Sequence, residues 1–254
     1  MGIAVVTGSA SGIGAAVRAR LEKNGDRVIG VDLRNAEIEV DLSTPEGREQ
    51  SIAQALEACG GSLDRLVVAA GLGAHVSDVL KIASVNYFGA VEVLDGLRGA
   101  MEGREAAAAV AICSNSAQLM PFDEHPFVLA LLEHDEPAAL ALLDERKGFI
   151  AYGGSKHALS RAVRRRAREW GAIGVRLNGI APGVTRTPLM DGAVKHPVFG
   201  KGVDALDIPL DRWAEPDEIA GVINFLLGPE ASYIHGSIVY VDGGGDAANR
   251  PDRF

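Results

Sequence analysis

The chain opens on an apolar run, Ile3-Ala4-Val5-Val6, that passes straight into Thr7-Gly8-Ser9-Ala10-Ser11-Gly12-Ile13-Gly14. Residues 15–24 then read as a helix, stopped by Asn24-Gly25. Strand, glycine turn and helix in that order leave few folds open. Glycines at the turn let backbone approach a pyrophosphate and let the helix pack against the strand. The helix start offers free N–H groups and the positive end of its dipole to an anion. The competing reading is an ordinary glycine-rich loop, and the position between the first strand and the first helix argues against it.

Strands and helices keep alternating. Residues 27–31, 37–40, 63–69, 106–113, 174–180 and 237–241 read as further strands, and 46–58, 79–101, 150–170 and 217–227 as helices. The stretch 106–113 is so rich in Ala and Val that helix competes on propensity; it is taken as a buried parallel strand. Such alternation predicts an α/β fold, a doubly wound parallel sheet of Rossmann type with helices on both faces. No internal repeat or linker divides the sequence, so one domain over residues 1–254 is expected.

A net charge of −9 argues against a general nucleic-acid surface. The one basic cluster, Arg161 to Arg168, is interleaved with Ala and Val and reads as a solvated helix face. Cys59 and Cys113 have no metal spacing and form no disulfide framework, so a reducing cytoplasm is expected and no metal is. No apolar run approaches transmembrane length, and the opening core strand leaves no signal peptide to expect.

Asp32 ends the second strand, where a carboxylate can accept from adenosine ribose hydroxyls and repel a 2′-phosphate; this favours NAD over NADP. Arg34 could blunt that preference, or be a solvated loop arginine. Asp41-Leu42 ends the third strand, either against the adenine edge or capping the turn near Ser43. Tyr152 and Lys156, in Tyr-Gly-Gly-Ser-Lys, share one helix face. A phenol ordinarily titrates about three units too high to act as a base at neutral pH, and a nearby ammonium should lower it. A hydroxyl is also needed to bind a substrate oxygen, and Ser114 and Ser116 both follow the strand at 106–113.

Taken together, these motifs resemble the short-chain dehydrogenase/reductase family. The matching features are the Thr7–Gly14 spacing, Asn86 in Val85-Asn86-Tyr87-Phe88-Gly89, Tyr152/Lys156, Pro182-Gly183-Val184 through Thr187-Pro188, and Asp242-Gly243-Gly244. Within the family the chain is similar to the bacterial 3α-hydroxysteroid dehydrogenase/carbonyl reductase branch, in residues 30–34, 41–44, 84–89 and the tail Arg250-Pro251 to Phe254. The resemblance implies Asn86, Ser114, Tyr152 and Lys156 as the catalytic set. Asn86 would support a proton relay through water, Ser114 would bind the substrate oxygen, and Lys156 would also hold the nicotinamide ribose. For NAD it implies Gly8, Ser11, Gly12, Ile13 and Gly14, then Asp32 and Leu33, Asp41 and Leu42, Ala70 and Gly71. Gly183, Val184 and Thr187 would face the nicotinamide. Ala69 stands where the family usually has Asn, which removes an amide that supports the central strand.

Between Ser114 and Tyr152 most family members have a short loop, whereas this chain carries an insert at about 115–149 with apolar stretches at 119–122, 127–132 and 137–143. The last two read as short amphipathic helices. The insert is expected near the active-site mouth, as a lid or as an oligomer or packing element. With Leu119, Met120, Pro121 and Phe122 beyond the serine, and a mobile loop through Leu189, Met190, Val198 and Phe199, a bulky apolar ketone or alcohol is the expected substrate. Arg186 is the only nearby cation for an anionic one. A homo-oligomer is expected, a dimer rather than a tetramer. The alternative is a catalytically idle NAD-binding sensor with the same fold. If Asp32 sets the cofactor preference, wild type should show the higher kcat/KM with NAD. Asp32→Ala should narrow the NAD/NADP ratio by about tenfold or more, the weight of one or two charge-assisted hydrogen bonds, as read by steady-state kinetics.

Overall fold

The structure is a computed structural model that describes residues 2–253, apart from the Asp204 side chain; Phe254, the end of the tail stretch, lies outside the described residues. Seven strands, β1 (Ile3–Thr7), β2 (Arg27–Asp32), β3 (Ile38–Glu39), β4 (Arg65–Val68), β5 (Ala108–Ile112), β6 (Arg176–Pro182) and β7 (Ile238–Val241), form one sheet in the order β3-β2-β1-β4-β5-β6-β7. Every neighbouring pair is parallel. β1, β4 and β5 lie in the middle and are covered on both faces, which is why, apart from Arg65 and Thr7 at their ends, they consist of Val, Ala, Ile and Leu.

Helices α1 (Gly12–Lys23) and α10 (Pro216–Leu227) cover one face, setting Val17, Leu21, Ile219 and Ile223 on Ala4, Val6, Val67 and Val110. On the other face lie α2 (Pro45–Ala58), α3 (Val79–Ala83), α4 (Ala90–Met101) and the long α7 (Gly148–Ala172). Their core includes Phe88, Leu94, Leu97 and Trp170 against Val5, Leu66 and Ala109. The basic cluster on α7 is a structural face: Arg166 pairs with Asp95 at 2.6 Å and Arg161 donates to the Asp123 carbonyl.

Three features depart from the sequence reading. The helix expected over 79–101 is interrupted by a π-helical turn at Ser84–Gly89 between α3 and α4. The apolar spacing runs on across it, so periodicity carries no sign of the extra residue in the turn. The loop expected beyond Thr187 folds into α8 (Pro188–Lys195) and α9 (Phe199–Asp204), and Thr187 Oγ1 caps α8 by accepting from Met190 N. The chain also adds a short helix, α11 (Gly245–Asn249), past β7.

Within the insert the two expected helices form as α5 (Pro126–Leu132) and α6 (Glu136–Ala141), capped by His125 and Asp135. They are packing elements: Phe122, Phe127, Val128 and Leu131 are fully buried. The rings of Phe122 and Phe127 sit where side chains at Gly153 and Gly154 would be, since a Cβ at either glycine would come within 2.9 Å of its ring. The two glycines inside the Tyr152–Lys156 motif are thus the sockets of the insert. Phe127→Ala should cost about 3–5 kcal/mol of stability, the usual range for an emptied aromatic site, measured by denaturant unfolding; a loss under about 1 kcal/mol would mean that α5 is only loosely seated.

Candidate active site

The carboxyl ends of parallel strands, at the point where strand order reverses, are where an open α/β sheet binds ligands. Here the reversal lies between β1 and β4, and a cavity of about 690 Å³ runs along that edge from the Gly8 turn to α9. Gly8, Ser11, Gly12, Ile13, Gly14, Asp32, Leu33, Asp41, Leu42, Ala70, Gly71, Gly183, Val184 and Thr187 all line it, as do Ser114, Tyr152 and Lys156. Asn86 alone of the expected set does not; it is fully buried behind the wall.

At the nucleotide end Gly8 has φ +68°, a left-handed conformation, and a Cβ there would lie 2.7 Å from Ala70 N. A Cβ at Gly14 would strike the Gly8 carbonyl. Ser11 precedes α1 and its side chain makes no capping bond, so the first N–H groups of the helix stay free for an anion. Asp32 accepts from Ala10 N at 3.0 Å and Leu33 N at 2.7 Å, which fixes the carboxylate at the end of β2. Asp41 takes up the capping role weighed for it, accepting from Ser43 N at 2.9 Å, and also faces the cavity. Its pKa is held down chiefly by Ser43, with Lys81 adding to this. Ala69 leaves no gap: the Thr7 hydroxyl accepts from both Ala69 N and Ala70 N at 3.1 Å and ties β4 to β1 in place of an amide. A free helix start, close backbone and a placed carboxylate together fit a dinucleotide.

At the other end Ser114 Oγ accepts from Ser116 Oγ at 2.8 Å, and Tyr152 Oη donates to it at 3.5 Å. Ser116 N also donates to Ser114 Oγ, at 3.2 Å, and the two lone pairs of Ser114 cannot meet all three donors, so the hydroxyls of Ser116, Ser114 and Tyr152 form one chain with a proton to offer a substrate oxygen. Lys156 is buried on α7 and Nζ donates to the Ile112 carbonyl at 2.6 Å. Asn86 sits in the π-helical turn, where Oδ1 accepts from Leu72 N at 2.7 Å and Nδ2 donates to Leu72 O at 3.0 Å.

Of the apolar residues expected around a substrate, Leu119, Leu189, Met190 and Phe199 line the cavity. Met120 and Pro121 do not, and Phe122 is turned into the core against Gly153. Val198 is left 69% exposed. Val76, Phe149, Val203 and Leu206 also line the cavity, and no motif in the sequence marks them. Arg186 pairs with Glu215 at 3.1 Å over the Trp213 ring, outside the cavity.

A family model described as short chain dehydrogenase matches residues 2–126, and one described as enoyl-(acyl carrier protein) reductase matches residues 141–246. A relative from Comamonas testosteroni, 3-alpha-hydroxysteroid dehydrogenase/carbonyl reductase, is 46% identical over 257 residues, covering 100% of both chains. The chain is a short-chain dehydrogenase/reductase. The crystal structure of 3-alpha-hydroxysteroid dehydrogenase from Pseudomonas sp. B-0831, complexed with NADH, superposes on this short-chain dehydrogenase/reductase with a TM-score of 0.96 at 44% identity, over 99% of this chain and 100% of that one. D-threitol dehydrogenase of Mycolicibacterium smegmatis is 31% identical over 95% of this chain and 92% of its own.

One expectation about the chemistry is corrected. The Tyr152 phenol lies above its ordinary pKa, because burial outweighs the hydroxyls of Ser114 and Ser116 that pull it down. Lys156 is not among the groups that lower it, its ammonium being turned to the Ile112 carbonyl. Burial lowers Lys156 itself, to about 8. A lysine with that value is charged at neutral pH and loses its charge above pH 8, so any ligand held by the ammonium binds more weakly as pH rises. NADH affinity, followed by fluorescence titration, should fall by about tenfold between neutral pH and about pH 9.5. The profile of Lys156→Ala should be flat over the same range, and a wild-type profile just as flat would show that the ammonium holds no cofactor.

Proposed function

We propose that the protein transfers a hydride between NAD(H) and a secondary alcohol or ketone, and that its substrates are bulky and apolar, such as steroids, alicyclic ketones or aryl ketones. One observation carries this reading: Ser114 and Tyr152 present their hydroxyls 3.5 Å apart in a cavity whose far walls, including Leu72, Leu119, Phe149, Leu189, Met190 and Phe199, bear no charge. The Comamonas relative bears the name of a hydroxysteroid dehydrogenase/carbonyl reductase, and an apolar wall suits that class. Such a ligand gains about 25 cal/mol per Å² of apolar surface buried.

NAD(H), when bound along the Gly8–Gly14 turn and Asp32, supplies or accepts the hydride. Ser114 donates its hydroxyl proton to the substrate oxygen, its neighbours Ser116 N and Oγ supplying donors to its own oxygen, and holds the substrate beside Tyr152. In reduction the Tyr152 O–H bond breaks and its proton passes to the oxygen as the alcohol forms; in oxidation the phenolate takes that proton back. Burial favours the neutral phenol, so the cofactor-free site is set for donation. Lys156 holds the nicotinamide ribose, and Asn86 acts from behind the wall through the Leu72 backbone it holds. The buried, unpaired Cys59 and Cys113 fit a reducing cytoplasm. The assembly proposed is a homodimer rather than a tetramer, with the insert covering part of α7 at Gly153 and Gly154.

Tyr152→Phe should keep NADH binding and lose about 10³-fold or more in kcat, the upper range for one acid/base group. Kinetics on matched ketones should rank cyclic and aryl ketones above acetone-sized ones in kcat/KM. Near-normal turnover in Tyr152→Phe would remove the phenol from the mechanism. NADH binding with no turnover of any ketone would make the chain a cofactor-binding sensor instead.

A further inference from the structure

The insert holds the π-helical turn from behind, through an ionic cluster built around one buried arginine. Glu136, the first residue of α6, does not line the cavity. Its Oε1 accepts from Ser84 Oγ at 2.7 Å and from Arg48 Nη1 at 3.2 Å, and its Oε2 from Arg48 Nη2 at 2.6 Å. Arg48, on α2, is 1% exposed, which is rare for an arginine. Its Nε lies 3.0 Å from Glu92 Oε2 on α4, in ion-pair contact but off the line of the N–H, and its guanidinium lies 5.6 Å over the Phe88 ring. His134, between α5 and α6, closes the cluster: Nε2 is 3.5 Å from Glu92 Oε1 and the ring packs edge-on to Phe88.

Buried charges are costly to desolvate, so such a cluster is weak evidence of a stability role and invites another explanation. Its contacts converge on one element. Ser84 opens the π-helical turn and Phe88 stands near its end, and between them is Asn86, whose amide carries both backbone bonds of Leu72. Leu72 and Gly71 line the cavity. A Cβ at Gly71 would lie 3.3 Å from Asn86 Oδ1 and 3.5 Å from Lys156 Nζ, so the turn also sets the surroundings of the buried ammonium. A π turn is an uncommon local state and persists where its neighbours over-determine it.

We infer that Glu136, acting with Arg48 and Ser84, is a positioning residue for the reaction: the insert grips the π-helical turn and thereby fixes Asn86 and the Leu72 wall. The insert then serves turnover from the side away from the substrate, apart from any role as lid or interface. This inference rests on the proposed part of Asn86 in turnover.

A double-mutant cycle tests it. Glu136→Gln keeps an acceptor for Ser84 and leaves Arg48 paired with Glu92, so the variant is expected to fold, as circular dichroism will check. Its kcat should fall about tenfold, with KM for NADH and ketone within about twofold of wild type, an effect within the range of coupling through one contact network. Ser84→Ala, which removes the hydroxyl donor to Glu136 but no charge, should shift kcat the same way and serves if Glu136→Gln fails to fold. In an Asn86→Ala background the same substitutions should cost less than about twofold, because they act through Asn86. Equal losses in both backgrounds, or an unchanged kcat in both single variants, would overturn the inference and leave the part of Asn86 standing. A normal kcat in Asn86→Ala would remove Asn86 from the reaction and the positioning role with it.

Discussion

All seven strands run in one direction, so every chain segment that leaves a strand at its carboxyl end leaves along the same edge of the sheet. A parallel strand cannot turn back on itself and must cross over through a helix, which places helix starts on that edge as well. The cofactor turn after β1, Asp32 at the end of β2, Gly71 after β4, Ser114 after β5 and Gly183 after β6 come together for this reason alone. The Thr7 hydroxyl, reaching across from β1 to two N–H groups after β4, shows how tightly the point of reversal has to be held.

Burial then sets the chemistry. Tyr152 and Lys156 stand on a helix whose inner side is packed into the sheet, and both lose water to the same packing. That pushes the phenol up and the ammonium down, each toward its neutral form. The local partners are weak ones, two hydroxyls and one carbonyl, with no carboxylate among them. A site built in this way stays responsive to whatever charge arrives in it.

Features local in the chain are legible in the sequence itself. The turn at Gly8–Gly14 is fixed by backbone sterics, the order of strands and helices by apolar runs and their stops, and the pairing of Tyr152 with Lys156 by helical spacing. The choice of Ser114 over Ser116 comes from resemblance, and the contact of Ser114 Oγ with Tyr152 Oη agrees with it. What the sequence hides depends on contacts distant along the chain. The π-helical turn leaves the apolar spacing undisturbed, and the groups it meets, the Leu72 backbone and Glu136, lie far from it along the chain. Phe122 reads like a pocket residue until Gly153 is seen to make room for it in the core. The segment past Thr187 does carry a helix start, Thr187-Pro188 with Asp191 in the first turn and Lys195 in the last, which the expectation of a loop overlooks; what the sequence does not show is that α8 and α9 lie over the cavity. Helical spacing misleads about the effect of Lys156 on Tyr152, because it says which face two groups share and not where the longer side chain finds its partner.

The π-helical turn also bears on what lengths of chain the fold tolerates. Surface loops usually accept the gain or loss of a residue, since only their ends are pinned. Ser84–Gly89 cannot be treated in that way, although it lies within a continuous helical run. Deleting one residue there would close the turn to ordinary α geometry and rotate everything on one side of it by about 100° relative to the other. Asn86 and the buried face of α4 could no longer both point where they do now. In any comparison of related chains, a gap placed inside this turn therefore marks a different active site rather than a shorter helix.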